Sequence, residues 1–169
     1  MEELFREISP AEITGNVFER IGKQWMLITA GREESFNTMT ASWGSMGILW
    51  GKNVAFVFVR DHRHTFKFME ENEFYTLSFY GEEYREALQI CGTLSGRDVN
   101  KPEKAGLTPA YDEKTTWFNE AEMVITCRKL YRHKIDPNEL VDSSITGIYP
   151  QNDYHYMYVG EIERVKVKK

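Results

Sequence analysis

The run Val54–Val59 (VAFVFV) constrains the fold most strongly: six consecutive apolar residues, mostly β-branched or aromatic. It is too short for a buried helix and reads as a strand with neighbours on both sides. Other segments share this character. Trp25–Ala30 is apolar and ends at Gly31, a buried strand and turn. Ser35–Gly44 (SFNTMTASWG) reads as a second strand, hairpin-linked to the first. Phe74–Tyr80 alternates, Glu122–Ile135 is strand-like, and His155–Val167 reads as a long strand with a break near Gly160.

Helical signals are few. Ser9-Pro10-Ala11-Glu12 has the form of a capping box, with a helical stretch following to about Gly22 and a break at Gly15. Thr65 is placed to cap a helix reaching Asn72. Glu82–Thr93 is a second helix, with Ala87, Leu88 and Cys91 on its inner face. Ser95–Pro109 is a long loop with one helical turn at Pro102–Ala105, and Asp136–Asp153 is turn-rich. Six or more strands without regular intervening helices argue against a βαβ layout. The fold class expected is mainly β with peripheral helices, an antiparallel barrel. A chain of 169 residues fits one domain, residues 1–169, with a core that needs no staple.

Charge narrows the partners. The net charge of −5 disfavours nucleic acid, which needs a surplus of Lys and Arg. Cys91 and Cys127 form no CxxC or zinc pattern, so two reduced thiols are expected and no metal site. The opening MEELFREISP lacks a signal peptide's apolar stretch, and no run reaches the length of a membrane span. A cytoplasmic protein away from the membrane is the expectation. GxGxxG, P-loop, HExxH and GxSxG motifs do not occur.

Three segments carry candidate chemistry. Arg60-Asp61-His62-Arg63-His64-Thr65 joins a buried strand to a helix start, where free N–H groups, two guanidiniums and a hydroxyl could hold a phosphate. The alternative is a solvated polar turn. Asn37–Gly44 sets small residues and hydroxyls beside Trp43, so a flat ligand could approach the backbone closely. The alternative is a plain strand with Met39 and Trp43 in the core. Ser95–Lys101 (SGRDVNK) brings Arg97 and Lys101 into one loop, either a lid over a ligand or an ordinary surface loop.

In this order the segments resemble the flavin reductase-like family of FMN-binding split-barrel proteins, which includes flavoredoxins. The resemblance spans about residues 14–165. It rests on WMLITAG at 25–31, NTMTASWG at 37–44, RDHRHT at 60–65, ENEFYTLSF at 71–79, the loop 95–101 followed by Gly106–Pro109, Glu120-Ala121, and His155–Ile162. It implies an antiparallel split barrel that dimerises, with non-covalent FMN near the interface. By position, Asn37, Thr40, Ala41, Ser42 and Trp43 would line the isoalloxazine and ribityl chain. Arg60, Arg63, His64 and Thr65 would hold the phosphate, and Ser95, Arg97 and Lys101 would close over the cofactor. His155 is the candidate to face the ring or substrate; no catalytic acid or base is otherwise assigned.

Two positions depart from the family pattern. Asn100 stands where relatives often carry Asp, and Asp61 where many carry Pro. An acid beside a phosphate is unfavourable unless it points away or is paired. The activity implied is NAD(P)H-dependent flavin reduction, with hydride passing from NADH or NADPH to flavin N5. The alternatives are a flavoredoxin-like electron carrier served by a redox partner protein, and a barrel that holds a heterocycle or haem without redox chemistry.

Overall fold

The computed structural model describes residues 4–169. Among the described residues, ten strands and three α-helices follow one another in the order β1 (Phe5–Ile8), β2 (Met26–Arg32), β3 (Ser35–Ala41), β4 (Gly44–Leu49), β5 (Lys52–Arg60), α1 (His64–Glu71), β6 (Phe74–Phe79), α2 (Arg85–Thr93), α3 (Lys101–Ala105), β7 (Pro109–Tyr111), β8 (Thr116–Phe118), β9 (Met123–Lys134) and β10 (His155–Lys168). The main sheet is antiparallel throughout, in the order β3-β2-β6-β9-β10-β5-β4, with β1 also paired to β10. The separate hairpin β7-β8 completes the set.

The sheet wraps around one core. Ala55, Val57 and Val59 from β5 share a cluster with Ile28 and Ala30 from β2, Met39 and Ala41 from β3, and Ile125 and Cys127 from β9, although β5 and β2 lie far apart in strand order. Period-two alternation turns these side chains inward. The opposite faces of β2 and β9 supply Leu27 and Val124 to a second cluster, where Ala87, Leu88 and Cys91 of α2 pack with Phe118. The antiparallel barrel with peripheral helices expected from the sequence is therefore the observed fold.

The break expected near Gly160 is a register shift between Val159 and Gly160, with another between Ile162 and Arg164. The second shift inverts the alternation, so Val165 faces the same core as Tyr158 and Ile162. Gly160 is needed there because a Cβ would run into the Tyr75 hydroxyl.

Several local expectations need correction. The capping box is present, but the turn it starts is a short 3-10 turn, Pro10–Glu12. The chain passes Gly15 at φ +98° and then forms a π-helical segment, Glu19–Gln24. The strand expected over 35–44 ends at Ala41; Ser42 and Trp43 make a corner and β4 begins at Gly44. Arg63, not Thr65, is the N-cap of α1. No helix among the described residues is long and apolar enough to cross a membrane.

Candidate functional site

β3 and β4 stand at the two ends of the strand order, and the Ser42-Trp43 corner connects them. Beside this corner lies a cleft of about 260 Å³, walled by Thr40–Trp43 on one side and by Phe58, Arg60, His62, Arg63 and His155 on the other. A second cleft of about 160 Å³ continues from it, lined by His64, Ser95, Arg97 and Lys101 and sharing His62 and Arg63 with the first. The small-residue strand, the basic turn and the SGRD loop thus line two adjoining clefts that share His62 and Arg63 and together make a groove.

The pairing of β10 with β5 explains part of this convergence. Register sets His155 opposite Arg60 at the open end of the sheet. Arg63 leaves the end of β5 to start α1, and its Nη1 donates to the Gly92 carbonyl at 3.0 Å. Its Nη2 is buried with no hydrogen-bond partner among the described residues. Lys101, only 3% exposed, donates to the Cys91 carbonyl at 2.9 Å. These are the last carbonyls of α2, which lack helical partners and sit at the negative end of the helix dipole. Helix α2 therefore gathers two cations on one wall of the groove. Burial, then the neighbouring Arg63 charge, pushes Lys101 down to about 8. Burial also lowers Arg63, with Arg60 adding repulsion.

The remaining residues singled out in the sequence divide. Thr40 donates its hydroxyl to the Leu88 carbonyl, tying β3 to α2. Arg97 Nη1 reaches the His62 carbonyl at 3.3 Å, and the Ser95 hydroxyl accepts from the Arg97 amide. His64 starts α1 and is lowered by burial and then by Arg97. Asn37 and Thr65 line neither cleft: the Asn37 amide donates to the Thr65 hydroxyl at 2.7 Å, both buried. Gly96 makes room for this pair, since a Cβ there would collide with Asn37 Oδ1. Asn37 and Lys101 also border a separate cleft of about 670 Å³, rimmed by Glu33, Glu34 and Glu103.

Arg60 is engaged elsewhere. Its Nη1 pairs with Asp153 at 2.6 Å, and its guanidinium sits 5.2 Å from the centre of the Tyr149 ring. Asp61, the acid that threatened the basic turn, pairs with Lys134 at 2.8 Å and lines neither cleft. His155 is held from behind by the Tyr149 hydroxyl, 2.8 Å from Nδ1, and its ring lies 5.0 Å from Trp43. Burial, reinforced by Arg60, pushes His155 down to about 4, so it is neutral at pH 7.

Phe58, Tyr149 and Asp153 were not anticipated as site residues. Phe58 could have been found, because alternation puts it on the opposite face of β5 from Val57 and Val59. Tyr149 and Asp153 come from the turn-rich 136–153 segment, which carries no period to read.

The fold has close counterparts among solved structures. Flavoredoxin from Methanosarcina acetivorans superposes with TM-score 0.68 at 20% identity, covering 86% of this chain and 69% of that one. Flavoredoxin of Desulfovibrio vulgaris (Miyazaki F) gives 0.67 at 23% identity, with 86% and 69% covered. Nitrilotriacetate monooxygenase component B from Bacillus cereus gives 0.67 at 17% identity, with 96% and 81% covered. No curated protein matches the sequence significantly. The family pattern described as flavin reductase like domain matches residues 18–169, most of the length and every segment of the groove, and the chain belongs to that family.

Proposed function

We propose that the protein binds FMN non-covalently in this groove and acts as an NAD(P)H-dependent flavin reductase. The observation that carries the reading is the pair of cations, Arg63 and Lys101, held by α2 at one end of a groove whose other end is the small-residue corner 40–43. The donor set fits a phosphorylated flat ligand. Arg63 Nη2 is a buried donor lacking a partner among the described residues, and an orphaned charged donor is costly unless something accepts from it. A phosphate there would accept from Arg63 and Lys101 in charge-assisted bonds.

In this reading Ala41, Ser42 and Trp43 give a flat ring close access to backbone donors, and Trp43, 45% exposed, offers its face. Arg97 and Ser95 shape the loop over the phosphate end. Asn37, Thr65 and Gly96 act from behind, by fixing that loop against β3 and α1. Arg60 anchors the 148–153 segment, with its charge met by Asp153. When bound, FMN supplies a ring that takes a hydride from NADH or NADPH and passes the electrons on.

A homodimer belongs to the same proposal. Ile48 and Trp50, 72% and 58% exposed on and just after edge strand β4, support it, since exposed edges and apolar side chains invite pairing. We assign the protein to the cytoplasm, where the free, buried thiols Cys91 and Cys127 would stay reduced.

The test is a visible absorbance spectrum of purified protein mixed with FMN, followed by NADH and NADPH in turn. Perturbed flavin bands, then bleaching by nicotinamide at a rate above free FMN, are expected. Bound FMN that neither nucleotide reduces would assign an electron carrier fed by a partner protein. Unchanged flavin bands at every ratio would remove the reading.

A further inference from the structure

The 142–153 segment folds back onto the groove through contacts that require no ligand. Arg60 Nη2 donates to the Ile148 carbonyl at 3.4 Å while Nη1 holds Asp153. Tyr149, 5% exposed, is fixed between this guanidinium and the Tyr154 ring, whose centroid lies 4.4 Å away. The Tyr149 ring is thus immobilised independently of the hydrogen bond that its hydroxyl makes.

That hydroxyl meets Nδ1 of His155 at 2.8 Å. One proton lies between the two atoms. A phenol is the more acidic partner of a neutral imidazole and the better donor, and the pyridine-like imidazole nitrogen is the stronger acceptor. Burial raises Tyr149 further, so its proton stays on oxygen. With Nδ1 accepting, a neutral ring carries its hydrogen on Nε2. The groups facing His155 are Arg60, His62 and Asp153; burial first, then Arg60 and to a smaller extent His62, oppose a second proton, and Asp153 alone favours it.

We propose that Tyr149 is a positioning residue that holds His155 as the neutral Nε2–H tautomer, so that the groove wall beside Trp43 presents a hydrogen-bond donor to a carbonyl of the bound substrate. The chemical class favoured is a planar ring bearing a carboxamide or similar neutral carbonyl, stacked near Trp43. A group needing a proton acceptor at this wall is disfavoured. This identification of the ligand rests on the proposed function, but the tautomer does not.

The experiment is long-range nitrogen–proton correlation NMR on 15N-labelled, flavin-free protein, with His155 assigned by loss of its signals in His155→Gln. The wild type should show Nδ1 as a bare acceptor and Nε2 protonated throughout the neutral range. Tyr149→Phe removes one oxygen and should convert this to a mixture of tautomers without lowering Tm appreciably. In steady-state reduction the same variant should raise KM for the nicotinamide several-fold while FMN affinity stays unchanged. A proton on Nδ1 in the wild type, or an unaltered tautomer in Tyr149→Phe, overturns the proposal. A correct tautomer in a protein that ignores FMN would sustain the positioning role and overturn the flavin reading instead.

Discussion

Replacing Arg63 by Ala isolates the phosphate end of the groove. The Arg63 guanidinium makes one hydrogen bond among the described residues, to the Gly92 carbonyl, and its Nη2 is buried without a partner there. Losing a charge-assisted hydrogen bond to a phosphate costs about 1.5–3 kcal/mol. That corresponds to a Kd for FMN raised about 10- to 150-fold. Riboflavin has the same ring and no phosphate, so its Kd should change no more than about three-fold, under ~0.7 kcal/mol. The loss of the α2 carbonyl cap costs stability of about 1 kcal/mol, which a thermal melt reports separately from binding. The assay is quenching of flavin fluorescence on titration with wild type and variant, for each ligand. Arg60→Ala is the internal control. Its guanidinium is committed to Asp153 and the 148–149 segment, so FMN and riboflavin should weaken alike. Equal losses for both ligands in Arg63→Ala would refute the assignment of the phosphate to this cation.

Other expected outcomes follow from the same geometry. Lys101 is lowered to about 8 from 10.5, so below about 8 it is charged in both folded and unfolded chains, and between 8 and 10.5 the unfolded chain binds more protons. Flavin-free stability should therefore rise with pH through that window while FMN affinity falls from about pH 8 upward; Lys101→Met should flatten both profiles in thermal melts and titrations. Gly96→Ala should cost about 1–3 kcal/mol in denaturant unfolding and weaken FMN, because its Cβ displaces the Asn37 amide. Leu88→Ala should cost about 2–5 kcal/mol by leaving a cavity under α2, and it should loosen FMN as well, since α2 holds both cations. Ile48→Lys should shift light-scattering mass from dimer to monomer.

Much of the fold could be read from side-chain period. Val54–Val59, the 123–134 strand and the long last strand have inward-facing apolar positions and are paired on both sides, and their boundaries agree with expectation to within two or three residues. β4 escaped because GSMGIL has two glycines and an edge strand's mixed exposure, which leaves no clean alternation. β1, β7 and β8 are three or four residues long, too short for a period to register. At the site, Arg63, Lys101 and the 40–43 corner stood out because charge and small size are visible in residue types alone. Their actual supports did not: carbonyls at the end of α2 are backbone groups, present in every helix, and only packing decides which cations they receive. Residue type alone makes Arg60 and Arg63 equal partners; Arg60 lines the cleft but also pairs with Asp153, 93 residues away, and nothing local in either segment signals that ion pair.

The most direct measurement is the crystal structure of the protein grown with FMN. The account predicts the phosphate within hydrogen-bond distance of Arg63 Nη2 and Lys101 Nζ, with the ring against Ala41–Trp43 and in reach of His155. Density for the flavin in the separate acid-rimmed cleft at Glu33, Glu34 and Glu103, or a phosphate touching neither cation, would contradict it.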